Sequence, residues 1–170
     1  MQKHGSRLLL LTSLVLATAS RGDAADQYAR GRLEVSGSLG YANFPDEGPL
    51  HHFTAGMSSR FYLAQWLAVE PELTLMVRDS TDRDLVFIPN VVWDMSRRKG
   101  RVRPYLIGGV GTLTHWESNP WWTYRSTAWT LQAGGGAQIF LGRHLSVAPE
   151  ARIGWPPVFR VGARVAWSFD

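Results

Sequence analysis

The stretch Val158-Phe159-Arg160-Val161-Gly162-Ala163-Arg164-Val165-Ala166-Trp167-Ser168-Phe169 alternates without an error. Phe159, Val161, Ala163, Val165, Trp167 and Phe169 share one face, and Arg160, Gly162, Arg164, Ala166 and Ser168 share the other. A sustained period of two marks a β-strand whose faces meet different surroundings. The apolar face has its own order, with aromatics at both ends and small aliphatics between.

Working outward, the same pattern recurs seven times. The chain reads as strands over 33–44, 53–63, 67–78, 85–94, 103–113, 127–141, 145–155 and 158–169. Val86, Ile88 and Val92 blur the alternation in the fourth. Short turns at Gln65-Trp66, Gly142-Arg143-His144 and Pro156-Pro157 separate neighbours. Pro45-Asp46-Glu47-Gly48-Pro49, Asp79 to Asp84 and the basic Ser96 to Arg101 fill the other gaps, and residues 115–126 read as the longest loop. Every connection is local, so the expected fold is all-β: an eight-stranded antiparallel up-and-down barrel with meander topology. An even number of strands closes without leaving an edge. Pro71, Pro89, Pro104 and Pro149 strain this reading, because a closed barrel has no free edge to shelter a missing N–H. Pro71 and Pro104 lie near strand ends, and Pro89 and Pro149 call for a bulge.

Composition narrows the class. The 170 residues contain no cysteine, 17 glycines and eight tryptophans. Disulfides, cysteine-based metal sites and a cysteine nucleophile are therefore excluded. Lys3, His4 and Arg7 precede the apolar run Leu8 to Leu16 and the small residues Ala17-Thr18-Ala19. This is the layout of a secretory signal peptide over residues 1–19, with cleavage as late as residue 25 the alternative. That segment holds two of the 18 basic residues and none of the 14 acidic ones, so the mature charge falls to +2. No basic stripe interleaved with aromatics is present, and no nucleic-acid partner is expected.

Alternation alone does not say which face points inward. A soluble, lipocalin-like ligand-binding barrel would turn the apolar face in; a transmembrane barrel turns it out. The aromatics sit at strand ends: Phe53, Phe61, Trp93, Trp129, Trp155, Phe159, Trp167 and Phe169. That is the distribution of two interfacial girdles around a lipid band. From Phe159 to Phe169 a strand tilted by about 45° spans roughly 23 Å, against an apolar band of about 25 Å. The opposite face is rich in small residues and carries Glu34, Glu70, Glu72, Asp94 and Glu150 against Arg60, Arg78, Arg152, Arg160 and Arg164. Such a set suits a paired network filling a narrow lumen. Glu34, Glu70, Glu72 and Glu150 are the expected partners of Arg160 and Arg164.

Three segments carry a family resemblance: Arg103-Pro104-Tyr105-Leu106-Ile107-Gly108-Gly109-Val110-Gly111, Gly134-Gly135-Gly136-Ala137-Gln138-Ile139-Phe140-Leu141 and Val69-Glu70-Pro71-Glu72-Leu73. Over Leu33–Phe169 the chain resembles the small eight-stranded outer-membrane β-barrel proteins, a porin-like superfamily. The resemblance implies residence in the cell outer membrane, contact with membrane lipid and lipopolysaccharide, and a monomeric state. It also implies handling by the outer-membrane assembly machinery, which reads a terminal aromatic; here Phe169 is followed by Asp170. A lumen filled by side chains is not an open channel. The expected role is structural or interactive, without catalysis or cofactor. Trp116, Trp121, Trp122 and Tyr124 are the candidate partner-binding residues, with extension of the outer aromatic girdle or capping of the barrel mouth as the plainer alternative. Some barrels of this size act on lipid A through His, Ser and an acid, which directs attention to His115, Glu117 and Ser118. His51-His52 is a candidate metal pair, and His144 a structural turn residue.

Overall fold

A computed structural model describes residues 32–45, 50–79, 81–95, 100–118 and 120–169, with the backbone alone at 50 and 51. The signal segment, loop residues 46–49, the basic residues 96–99 and Asp170 lie outside the described residues. Eight strands run in order: β1 (Leu33–Phe44), β2 (Leu50–Ala64), β3 (Leu67–Val77), β4 (Asp82–Asp94), β5 (Val102–Ser118), β6 (Thr123–Phe140), β7 (Leu145–Trp155) and β8 (Val158–Phe169). Each pairs antiparallel with the next, and β8 closes on β1 through a register from Leu33↔Phe169 to Asn43↔Phe159. Gly40 faces Gly162 along this seam. A Cβ on Gly162 would come within 2.5 Å of the Leu39 carbonyl oxygen, so the two strands approach here only because both residues are glycine.

Closure decides the question of faces. On β8, Arg160, Arg164, Ala166 and Ser168 are buried, whereas Val161, Val165 and Trp167 are 41%, 51% and 49% exposed. The apolar face is the outer wall, which overturns the soluble-barrel alternative. Val86, Ile88 and Val92 are inward and almost fully buried. They blur the β4 pattern because parts of the lumen are apolar too.

The long loop expected over 115–126 is instead a ribbon. β5 and β6 stay paired through Thr114↔Thr127, His115↔Ser126, Trp116↔Arg125, Glu117↔Tyr124 and Ser118↔Thr123, so β5 runs on to Ser118 and β6 begins at Thr123. These β-branched and aromatic residues favour extended backbone. Cross-strand pairs support it: the Arg125 guanidinium lies 5.4 Å from the Trp116 ring centre, and the Thr114 and Thr127 hydroxyls are 3.1 Å apart. The apolar alternation disappears here because each face mixes aromatic with polar residues: His115, Glu117, Tyr124 and Ser126 share one, and Trp116 and Arg125 the other. β2 and β4 likewise begin earlier than expected, at Leu50 and Asp82.

The prolines have a common solution. Pro71 pairs with Pro89 across β3 and β4, while the ladders lapse on their far sides, between Ser58↔Glu72 and Phe61↔Val69 and between Phe87↔Thr112 and Asn90↔Gly109. Pro149 keeps its pairing with Ala163 and faces a lapse toward β6, between Gly136↔Glu150 and Ile139↔Val147. Pro104 pairs with Ala137 and lies just beyond the last β4–β5 pair, Asp94↔Tyr105. Each missing donor is accommodated by a local interruption, not by an edge.

Candidate functional site

The inner wall carries charged side chains in its middle and at its upper mouth, with Glu34 and Asp94 toward the lower end. Along β3 the inward residues are Ala68, Glu70, Glu72, Thr74 and Met76, so an apolar residue stands at each end of a polar stretch. The apolar cluster above them is Ala42, Phe44, Met76, Val86, Ile88 and Val158. That below is Tyr62, Ala68, Val92, Tyr105, Ile107 and Ala148.

The middle of the lumen is a connected ion-pair network. Glu70 accepts from Arg60 Nε at 2.5 Å, Arg164 Nη1 at 2.9 Å and the Ser58 hydroxyl at 3.1 Å. Glu72 accepts from Arg160 Nη2 at 2.5 Å and Thr74 Oγ1 at 2.7 Å, and pairs with Arg152 Nη2 at 2.7 Å. Glu150 accepts from Arg152 Nε and from the Tyr105 hydroxyl, both at 2.6 Å. Arg60 and Arg164 also lie 4.9 and 5.5 Å from the Tyr105 ring centre. These contacts tie β2 and β3 to β7 and β8 across the interior. Multiple charge-assisted hydrogen bonds per carboxylate are what a buried ion needs to offset its desolvation. A cavity bordered by Glu70, Glu72, Arg152, Arg160 and Arg164 measures about 20 Å³, room for about one water molecule.

Three expected members of that set stand elsewhere. Glu34 is buried but accepts from the Tyr62 hydroxyl, Gln138 Nε2 and the Ser168 hydroxyl, at 3.3, 3.2 and 3.2 Å, not from Arg160 or Arg164. Asp94 is buried near the lower end, with neither carboxylate oxygen in a hydrogen bond. Arg78 is 45% exposed at the upper rim, 3.9 Å from Asp82. It leaves the lumen because it follows the last β3 residue and turns with the hairpin.

The upper mouth holds the second group. Asp79 Oδ1 accepts from Thr81 N and Oγ1 and from Asp82 N, at 2.7, 2.6 and 3.0 Å. This Asx turn sets the β3–β4 hairpin and the start of β4, and the Thr81 hydroxyl holds the Asp79 carboxyl below its usual range. Asp82 and Asp84 then both point inward. His115 Nδ1 donates to Asp84 Oδ1 at 2.8 Å. His52 Nε2 lies 3.8 Å from Asp82 Oδ2 and 3.7 Å from Asp84 Oδ2. In the sequence Asp82 and Asp84 stand in a charged loop, and their two-residue spacing is the one sign that they share a face.

The aromatic residues divide by height. Phe53, Trp129, Trp155 and Phe159 lie outward toward the mouth, and Phe61, Trp93, Trp167 and Phe169 outward toward the end bearing both strand termini. On the β5–β6 ribbon, Trp121 is 91% exposed, and Trp122 and Tyr124 are also exposed. The residues read as a Ser–His–acid set do not assemble. His115 turns inward to Asp84, whereas the Ser118 hydroxyl meets Thr123 Oγ1 at 3.3 Å. His144 holds the β6–β7 turn, with Nδ1 3.0 Å from the Ser168 carbonyl oxygen and its ring stacked on Trp167. The side chain of residue 51 lies outside the described set.

Known proteins share this architecture. The sequence profile of the outer membrane protein beta-barrel domain matches residues 9–155. Neisserial surface protein A superposes with a TM-score of 0.69 at 13% identity, covering 83% of this chain and 98% of that one. The N-terminal β-barrel domain of Pseudomonas aeruginosa OprF gives 0.66 at 11% identity, covering 82% and 98%. A de novo designed transmembrane β-barrel gives 0.56 at 18% identity, covering 83% and 98%. No curated protein sequence matches the chain significantly. Natural and designed barrels are alike similar to it, so these likenesses carry the fold alone.

Proposed function

The chain belongs to the outer membrane protein beta-barrel domain family and resides in the cell outer membrane; from that premise we propose that it is a non-enzymatic barrel with a sealed lumen, acting through its exposed β5–β6 ribbon. The observation that carries the seal is the Glu70–Glu72–Glu150 network, which holds Arg60, Arg152, Arg160 and Arg164 across the interior. The cavity bordered by these groups, about 20 Å³, has room for about one water molecule and none for a hydrated ion.

In this reading the ribbon end faces the exterior and the end with the strand termini faces the periplasm. Trp116, Trp121, Trp122 and Tyr124 then meet lipopolysaccharide, whose sugars and acyl chains suit amphipathic aromatic surfaces. Phe169 serves the assembly machinery, and the closed, edge-free wall supports a monomer.

The test is conductance. In planar bilayers containing the purified protein, no resolved single-channel steps are expected in molar KCl. Stable unitary steps would sink the sealed-lumen reading. For the ribbon, quenching of tryptophan fluorescence by lipopolysaccharide is expected in the native protein and lost in Trp121→Ser/Trp122→Ser.

A further inference from the structure

We propose that His52, Asp82 and Asp84 form a binding site for a divalent transition-metal cation at the barrel mouth, with His115 orienting the Asp84 carboxylate. One ligand atom from each of the three residues lies within 4.8 Å of the other two. Four ligands about 2.1 Å from zinc are separated from one another by about 3.4 Å. His52 Nε2 stands 3.8 and 3.7 Å from the two carboxylate oxygens. That is too long for a hydrogen bond and a few tenths of an ångström from coordination spacing.

A second observation is independent of the acidic pair. The His52 side chain is 2% exposed, neither of its ring nitrogens is in a hydrogen bond, and its Nε2 is aimed between the carboxylates. Its ring is held edge-on against Phe44 at 5.0 Å, so its direction is set by packing. Buried polar groups normally have partners, and this imidazole gains one when a cation sits between it and the acids.

The charges agree. The apolar layer of Phe44, Met76, Val86 and Ile88 separates this cluster from the lumen arginines. Arg78 approaches Asp82 at 3.9 Å from the solvent side, and Glu117, paired with Asp82 across the strands, adds a further exposed negative charge. His115 donates to Asp84 as an outer-sphere group does to a ligating carboxylate. One nitrogen and two carboxylate oxygens suit a borderline cation such as zinc, with the fourth position open toward the mouth.

The experiment is calorimetric titration of ZnCl2 into the untagged protein folded in detergent micelles, with folding of every variant checked by heat-modifiable gel migration. Saturable binding of one zinc per chain is expected. Asp84→Asn and His52→Gln weaken it at least tenfold, His115→Gln weakens it about tenfold, and His144→Gln, at the opposite end, leaves it unchanged. Absence of saturable binding overturns the proposal. So does an unaltered isotherm in His52→Gln and Asp84→Asn, which would put the metal elsewhere. Should one variant fail to fold, the other two carry the comparison.

Discussion

The middle of the lumen and its mouth are built on the same inner wall and both bury carboxylates, yet they resolve the charge in opposite ways. In the middle, Glu70 and Glu72 each receive two guanidinium groups as well as a hydroxyl. At the mouth, Asp82 and Asp84 face imidazoles and one half-exposed arginine. The difference separates two uses of buried charge. A network in which every carboxylate is paired with guanidinium groups holds opposite walls together and fills space. A cluster left with excess negative charge and an unsatisfied imidazole holds room for something from outside.

The comparison is tested most strongly by matched isosteric changes. Glu70→Gln removes one oxygen's charge and leaves Arg60 and Arg164 buried without their anion. A loss of about 3–5 kcal/mol is expected, read by urea unfolding in micelles. Next comes the outer wall one residue away from a lumen arginine. Arg164 is buried and paired, whereas Ala163 points to lipid. Ala163→Arg near the bilayer midplane is expected to cost about 2–4 kcal/mol in vesicle-reconstituted unfolding, and a neutral result would contradict the assigned faces. Asp84→Asn, measured with chelator present, is expected to cost no more than about 1 kcal/mol, because the amide oxygen still accepts from His115. A cost equal to that of Glu70→Gln would erase the distinction between middle and mouth. Smallest is Trp121→Ser/Trp122→Ser at the ribbon tip, expected to leave unfolding within about 0.5 kcal/mol of native while abolishing lipopolysaccharide quenching.

The legibility of this molecule from sequence follows the period of the β-strand. Val158–Phe169 could be read at sight because lipid on one side and lumen on the other impose unlike demands on alternate residues. The same logic placed Glu70, Glu72, Arg152, Arg160 and Arg164 on the inner face. It failed where that contrast ends. At 115–118 and 123–126 the strands remain paired, each face mixes aromatic with polar residues, and a ribbon reads as a loop. It failed also at Val86, Ile88 and Val92, where apolar lumen layers mimic the outer face. The four prolines argued against closure only while the ladders were assumed continuous; the lapses beside Pro71, Pro89 and Pro149 removed the conflict.

By itself, then, the amino-acid sequence determined the number of strands, their order, and the face on which most residues lie, because these depend on local alternation and short turns. Only the tertiary structure decided who meets whom inside. Arg160 finds Glu72, Arg164 finds Glu70, and Glu34 turns to Tyr62, Gln138 and Ser168. His52 on β2 converges with Asp82 and Asp84 on β4 and lies near His115 on β5. A period of two specifies a face but not a height along the barrel. Height is set by the registers that closure imposes on all eight strands together, and no segment contains that information alone.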